Sequence, residues 1–105
     1  MNLFQFIDYL QDQEKLASFL EVNYPNLDYY DIEIYLKNSL TINSELKFFD
    51  DNEIDGRIIM ELDGVNYHNL FSLDYLVEVC NDYSKITDNK TDLAESILNY
   101  RINDA

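Results

Sequence analysis

Residues 57–69 read RIIMELDGVNYHN, and this stretch decides the fold. Asp63-Gly64 lies between two runs rich in β-prone residues, and the pair favours a two-residue hairpin turn because both residues tolerate a positive φ. We therefore predict antiparallel strands at residues 57–62 and 65–69. A further apolar run at residues 45–49 predicts another strand before them. The centre of the chain is thus expected to be a small antiparallel sheet.

Helical periodicity lies on both sides of this predicted sheet. Residues 2–23 carry apolar side chains three and four positions apart, either in one helix or in two with Asp12 capping the second. Residues 72–84 and 91–102 predict two more helices, with Ser72 and Thr91 as candidate caps. We expect residues 1–105 to form one acidic globular α+β domain. It would have a small antiparallel sheet of about three strands, with N-terminal and C-terminal helices packed on it.

Residues 28–37 fit two periodicities. Alternation of apolar and polar residues predicts a strand whose inward side chains are Tyr30, Ile32, Ile34 and Leu36. A helical stripe, with Asp28 as its cap, is formed by Tyr29, Ile32, Leu36 and Leu40. Both interpretations stay open, and of the two we favour the helix.

Charge separates this chain from an average domain. Twenty-one Asp and Glu oppose seven Lys and Arg, which gives a net charge of −14. This charge repels nucleic-acid phosphates and anionic membranes, and it accelerates association with a basic protein. Acidity also serves solubility, and the sequence leaves both interpretations open.

Cysteine usage and the first residues indicate a cytoplasmic protein. Cys80 is the single cysteine, so no intramolecular disulfide can form, as is typical of a reducing compartment. No basic segment precedes the first apolar residues, and no apolar run has the length of a membrane span. We therefore expect neither secretion nor membrane insertion.

Residues that could support catalysis are few. The single histidine, His68, lies in a predicted strand, where a structural role is the more common one. Cys80 lies on an apolar helical stripe with Leu76 and Val79, so we expect it to be buried and inert. Nucleophile-elbow, glycine-rich phosphate and zinc-ligand patterns are missing from the sequence. We predict no enzymatic activity, cofactor or metal.

Residues 51–58, DNEIDGRI, resemble the first part of a calcium-binding loop. Acidic residues occupy its positions 1, 3 and 5, and a glycine occupies position 6. Position 12 is Leu62 rather than the bidentate glutamate, so an acidic hairpin loop or a partner contact is the better interpretation. The candidate partner-binding residues of this segment are Asp50, Asp51, Glu53 and Asp55.

A second acidic feature lies in the helix predicted at residues 72–84. Asp74, Glu78 and Asp82 are four residues apart and share one helix face, where like charges cost a few tenths of a kcal/mol per pair. Such a stripe is compatible either with binding of cations or with simple solvation. Tyr75, beside Asp74, is a further candidate contact, because tyrosine combines a rigid ring with a hydroxyl.

In size, acidity and tyrosine content, the whole chain resembles the small cytoplasmic immunity proteins that accompany bacterial contact-dependent inhibition toxins and colicin-type nucleases. The resemblance implies a protein that binds and neutralises a basic partner, most simply a nuclease toxin. An alternative is a phage-type DNA mimic that blocks a host DNA-binding or defence enzyme. Such a mimic would bind several DNA-binding proteins, whereas an immunity protein would bind one.

Overall fold

The computed structural model describes residues 1–104 as helices and strands in an α+β arrangement, which confirms the predicted fold class. The first half of the chain contains α1 (Leu3–Leu10), α2 (Gln13–Asn23), a 3₁₀ turn (Tyr29–Asp31), β1 (Ile32–Lys37) and β2 (Leu46–Asp50). The second half contains α3 (Asp51–Ile54), β3 (Ile59–Leu62), β4 (Val65–Ser72), α4 (Leu73–Ser84) and α5 (Lys90–Asn103). Within residues 1–104, none of the helices combines the length and the apolarity that a membrane crossing requires.

The sheet has four antiparallel strands in the order β2-β1-β4-β3, one strand more than the three that the sequence predicted. The β3–β4 hairpin is the predicted one. Its turn residues Asp63 and Gly64 have φ values of 52° and 79°, and Leu62 pairs with Val65 across the turn. The turn therefore has the two positive φ angles that this dipeptide favours.

The additional strand is β1, so the helix that we favoured for residues 28–37 is wrong. Asp28 caps only the 3₁₀ turn, where its side chain accepts a hydrogen bond of 3.0 Å from the Tyr30 amide. β1 is a central strand, paired with β2 on one side and with β4 on the other. It is buried on both faces, with Ile34 in one apolar cluster and Tyr35 in another. This burial depends on strands distant in sequence, which a local helical periodicity does not reflect.

Helix boundaries follow the cap residues. The N-terminal helical region is divided in two, and the Asp12 side chain accepts from the backbone amide three residues later at 3.1 Å, as one alternative predicted. Ser72 precedes α4 without a side-chain capping bond. The predicted Thr91 cap is wrong, because α5 begins one residue earlier and the Asn89 side chain caps it with a 3.0 Å bond.

Apolar residues form a cluster on each face of the sheet. The larger cluster joins the helices to one face and includes Leu76, Val79 and Cys80, which are buried as predicted. The smaller cluster on the opposite face consists of Tyr35, Phe49, Ile54 and Met60, with Tyr67 packed against it. Because Ile54 belongs to α3, this short helix lies over the second face on the way from β2 to β3. The acidic residues of α3 are thereby placed beside the sheet.

Candidate partner-binding site

The acidic segment at residues 50–55 begins with a residue that has a structural role. Asp50 caps α3: one of its carboxylate oxygens accepts from the backbone and side-chain nitrogens of Asn52, both at 3.0 Å. Asp51 and Glu53 are exposed on α3, and Asp55 follows it with a positive φ of 54°. Of the four predicted residues, Asp51, Glu53 and Asp55 are therefore available to a partner.

This segment does not have the conformation of a calcium loop. Residues 51–54 form a helical turn, and Ile54 is buried in the smaller apolar cluster rather than carried by an open loop. Gly56 has a φ of 69°, the left-handed conformation expected of a turn glycine. Among residues 1–104, no group of three or more His, Cys, Asp or Glu is arranged to hold a metal ion.

The second acidic feature lies along α4 as predicted. Asp74 is partly buried in the first turn, whereas Glu78 and Asp82 are exposed. An eight-residue separation places Asp82 about 12 Å along the helix axis from Asp74. Asp82 also approaches Lys85, with 3.9 Å between its carboxylate and the ammonium group, and both side chains are largely exposed. The two ends of this row therefore differ: Asp74 is partly buried, whereas Asp82 is exposed and lies near a lysine.

The two acidic features meet at Glu33, which the sequence analysis did not select. Glu33 lies in β1 opposite Ser72, the last residue of β4 before α4, and its neighbour Ile32 lies opposite Asp50. The end of the sheet thus places the starts of α3 and α4 near one carboxylate. We call Glu33, Asp51 and Asp74 the acidic triad.

The surroundings of Glu33 shift the pKa of its carboxyl. Partial burial raises the pKa of the Glu33 carboxyl above its ordinary value. Asn69 Nδ2 donates a 3.1 Å hydrogen bond to Glu33 Oε2, which lowers the pKa, and the charges of Asp51 and Asp74 raise it. The charges of Asp51 and Asp74 therefore disfavour the charged form of Glu33.

A small cavity of about 110 Å³ opens beside Glu33 and Asp51. Its lining also includes a cation of this chain, Arg57, and is completed by Tyr35, Ile54, Gly56, Ile58 and Asn69. The buried Tyr35 hydroxyl donates a hydrogen bond to the Arg57 carbonyl, which ties the segment 54–58 to β1. The segment 54–58 is therefore anchored to β1 where it lines the cavity, and Glu33 and Asp51 contribute carboxylates to the same lining.

Two tyrosines lie near the α4 row. Burial and then the charge of Asp74 raise the pKa of Tyr29, which places this tyrosine near Asp74. Tyr75, the predicted contact, has its hydroxyl 2.7 Å from that of Tyr100. This hydrogen bond is the main cause of its raised pKa, and the charges of Glu78 and Asp82 contribute. Tyr75 thus belongs with the exposed acids of α4 rather than with the acidic triad.

Most of these acids form no salt bridge among residues 1–104. Within residues 1–104, no lysine or arginine lies within 4 Å of the carboxylates of Asp51, Glu53, Asp55, Asp74 or Glu78. Lys90, by contrast, pairs with Asp8 at 3.0 Å and lies 4.4 Å from the centre of the Phe4 ring. Arg57 lines the cavity but forms no salt bridge with these acids, so their charges are not paired within the described residues.

These observations define a small α+β domain with an acidic site at one end of its sheet. No protein-family model, curated protein or solved structure matches the chain at a significant level. The site itself must therefore carry the argument about function.

Proposed function

We propose that this protein is a cytoplasmic immunity or inhibitor protein that binds and neutralises a basic partner, most simply a nuclease toxin. The observation that carries the proposal is the cavity lined by Asp51 and the partly buried Glu33, beside which no lysine or arginine among residues 1–104 forms a salt bridge with Asp51 or Asp74. The charges of Asp51 and Asp74 both raise the pKa of Glu33. Like charges held together in this way destabilise the free protein. A cation from a partner would relieve the repulsion.

Arginine is the side chain that fits the site best. A guanidinium group can donate two parallel hydrogen bonds to a carboxylate, and it keeps its charge when it leaves water. The cavity beside Glu33 and Asp51 offers it a place next to two carboxylates, at which Arg57 of this chain, also in the lining, forms no salt bridge. Nucleases carry arginine and lysine to hold phosphate, so an acidic protein can occupy that surface and exclude the substrate.

The exposed acids of α4 extend the proposed contact. Glu78 and Asp82 continue the acidic row from Asp74, and the Tyr75 ring lies beside them. A tyrosine ring can pack against the stem or face of a basic side chain while carboxylates bind its charge. The long-range charge of −14 would draw a basic partner in before these contacts form.

The DNA mimic stays as the alternative, and the same row on α4 is the observation that favours it. A mimic needs carboxylates spaced along an extended surface, whereas Glu33 and Asp51 line a single cavity. Recognition of one inserted basic side chain agrees better with a single dedicated partner. We therefore rank the inhibitor first.

An affinity capture tests the proposal. The tagged protein would be incubated with lysate of its source cells, washed at low salt and eluted at high salt, and the eluted protein would then be assayed for nuclease activity. We expect one basic protein whose nuclease activity falls to background when this chain is added in equal amount. Recovery of many DNA-binding proteins would favour the mimic. A partner whose activity is unaffected would contradict the inhibitor role.

Charge variants provide the matched control for this capture. Asp51→Lys with Asp74→Lys should abolish recovery of the partner. Glu14→Lys with Glu95→Lys changes the net charge equally, at exposed positions of α2 and α5. Recovery that falls equally with both pairs would indicate attraction by net charge alone.

A further inference from the structure

The two edges of the sheet differ in how they are covered. At the β2 edge, Asn2 forms a bridge with Glu45, and the Leu46 amide donates to the Met1 carbonyl at 2.8 Å. At the opposite edge, β3 pairs only with β4 among the strands in residues 1–104. The outer side of β3 is therefore a free strand edge.

The hairpin register shows which backbone groups face outward. Leu62 and Val65 flank the two-residue turn, and the Asn69 amide donates to the Ile58 carbonyl at 2.8 Å. Antiparallel pairs alternate between bonded and non-bonded, so residues 58, 60 and 62 direct their backbone groups to β4. Ile59 and Glu61 consequently present their backbone N–H and C=O groups at the free edge.

The side chains along this edge are apolar and accessible. Ile58 is 66% exposed, Ile59 53% and Leu62 39%. Met60 is buried in the smaller cluster, so Ile58 and Leu62 share its face and Ile59 lies on the other. β3 contains no proline or lysine, the residues with which proteins commonly protect an exposed edge. An added strand would find apolar contacts on both faces.

The charge around β3 indicates which kind of segment could pair with its free edge. Residues 50–63 contain six acids and one cation, Arg57, and the acids include Glu61 in β3 and Asp63 in its turn. A second copy of this chain would bring the same acids and another −14 to the edge, which opposes pairing between copies. A basic segment would instead gain attraction to these acids.

We propose that the free edge of β3 accepts an extended basic segment of the partner as a fifth strand of the sheet. This proposal rests on the proposed function and adds a second contact to it. The added strand bonds to the outward groups of Ile59 and Glu61 and covers the exposed apolar side chains. Main-chain bonds supply affinity in this mode, while side chains on alternating positions supply specificity.

A synthetic peptide tests the edge directly. The probe is an eight-residue peptide of alternating arginine and valine with blocked ends, followed by fluorescence anisotropy. Ile59→Pro removes the outward amide without removing a bond to β4, and Ile59→Thr keeps the amide as the matched control. We expect binding to weaken about tenfold for Ile59→Pro, since each 1.4 kcal/mol is a factor of ten, and about twofold or less for Ile59→Thr.

Amide hydrogen exchange by NMR provides a second readout. With the peptide bound to the unmodified protein, exchange at Ile59 and Glu61 should slow markedly. Should the proline variant fail to fold, Glu61→Arg keeps the backbone edge and reverses its charge, and it should also weaken peptide binding. Unchanged exchange, unchanged affinity in the proline or arginine variant, or no binding of the peptide would each overturn the proposal.

The outcomes separate this proposal from the proposed function. If Ile59→Pro still captures and inhibits the basic partner as well as the unmodified protein, strand addition is wrong and the inhibitor role stands. If the capture recovers no partner whose activity is inhibited, the inhibitor role fails, regardless of whether the synthetic peptide binds to the edge of β3. If sedimentation shows a dimer that Ile59→Pro dissociates, the edge is occupied by a second copy, which also overturns the proposal.

Discussion

Replacing Glu33 by glutamine should stabilise the free protein while weakening its function. The glutamine keeps the shape of the side chain and can still accept the hydrogen bond from Asn69, which is 3.1 Å long in the structure. It removes the charge that burial and the neighbouring Asp51 and Asp74 disfavour. Glu33→Gln therefore isolates the electrostatic strain of the acidic triad from its packing.

The size of the gain follows from the surroundings of the carboxylate. Two like unit charges about 4 Å apart in bulk water repel by about 1 kcal/mol, which sets an upper bound for each neighbour of Glu33. Glu33 is only partly buried, so solvent and salt reduce each such term to a few tenths of a kcal/mol. With two neighbours and the penalty of burial, we expect a gain on the order of 1 kcal/mol. In a domain of this size, this corresponds to a rise of about 4–8 °C in Tm.

The dependence on pH has a definite sign. The pKa of Glu33 is raised in the folded state, so the folded protein binds the proton more tightly than the unfolded chain. The unmodified protein therefore loses stability as the pH rises through this raised pKa, and the penalty vanishes below the ordinary carboxyl pKa of about 4.3. The advantage of Glu33→Gln should be complete near pH 8 and should shrink toward pH 5.

Urea denaturation followed by circular dichroism measures this advantage at each pH. Glu95→Gln removes the same charge from an exposed position of α5 and is the matched control. We expect Glu33→Gln to exceed the control in stability at pH 8 and to bind the partner more weakly. Equal stability of the two variants, or an advantage that grows as the pH falls, would refute the reasoning.

Two further predictions concern the cluster and the cysteine. Tyr35→Phe removes the hydrogen bond to the Arg57 carbonyl and should lower the free energy of unfolding by about 1 kcal/mol, as measured by urea denaturation. An unchanged free energy of unfolding would show that this bond does not form in solution. Cys80 is buried, and that burial is the main cause of its raised pKa. A thiol reagent should therefore label the folded protein no faster than the protein unfolds locally or globally to expose Cys80. Labelling as fast as in urea would show that Cys80 is accessible.

Local signals made much of the fold predictable. Asp63-Gly64 requires only two positive φ angles, and Asp12 caps α2 through an amide three residues away. Such features depend on neighbours in the sequence, and the structure has them where they were expected. The strand order could not be predicted in the same way, because β1 lies between β2 and β4, which come later in the chain.

Of the acidic triad, Asp51 and Asp74 were predicted as candidate contacts from the sequence, and Glu33 was not. Asp51 was predicted from the partial calcium-loop pattern, and Asp74 from its spacing with Glu78 and Asp82 on one helix face. Glu33 was missed because its role comes from pairing: it lies opposite Ser72 and receives a hydrogen bond from Asn69, both in β4. The strand alternation of residues 28–37 was the one signal that could have placed Glu33 at the sheet end. We set that signal aside in favour of the helix.

The most direct test of the account is a calorimetric titration of the recovered basic partner into the Asp51→Lys, Asp74→Lys variant at two salt concentrations. The account predicts that the affinity falls at least about tenfold at low salt and that its salt dependence becomes smaller, because two attractive contacts have become repulsive. Glu14→Lys with Glu95→Lys should retain the affinity to within about threefold. An acidic-triad variant that binds as tightly as the unmodified protein would contradict the central claim.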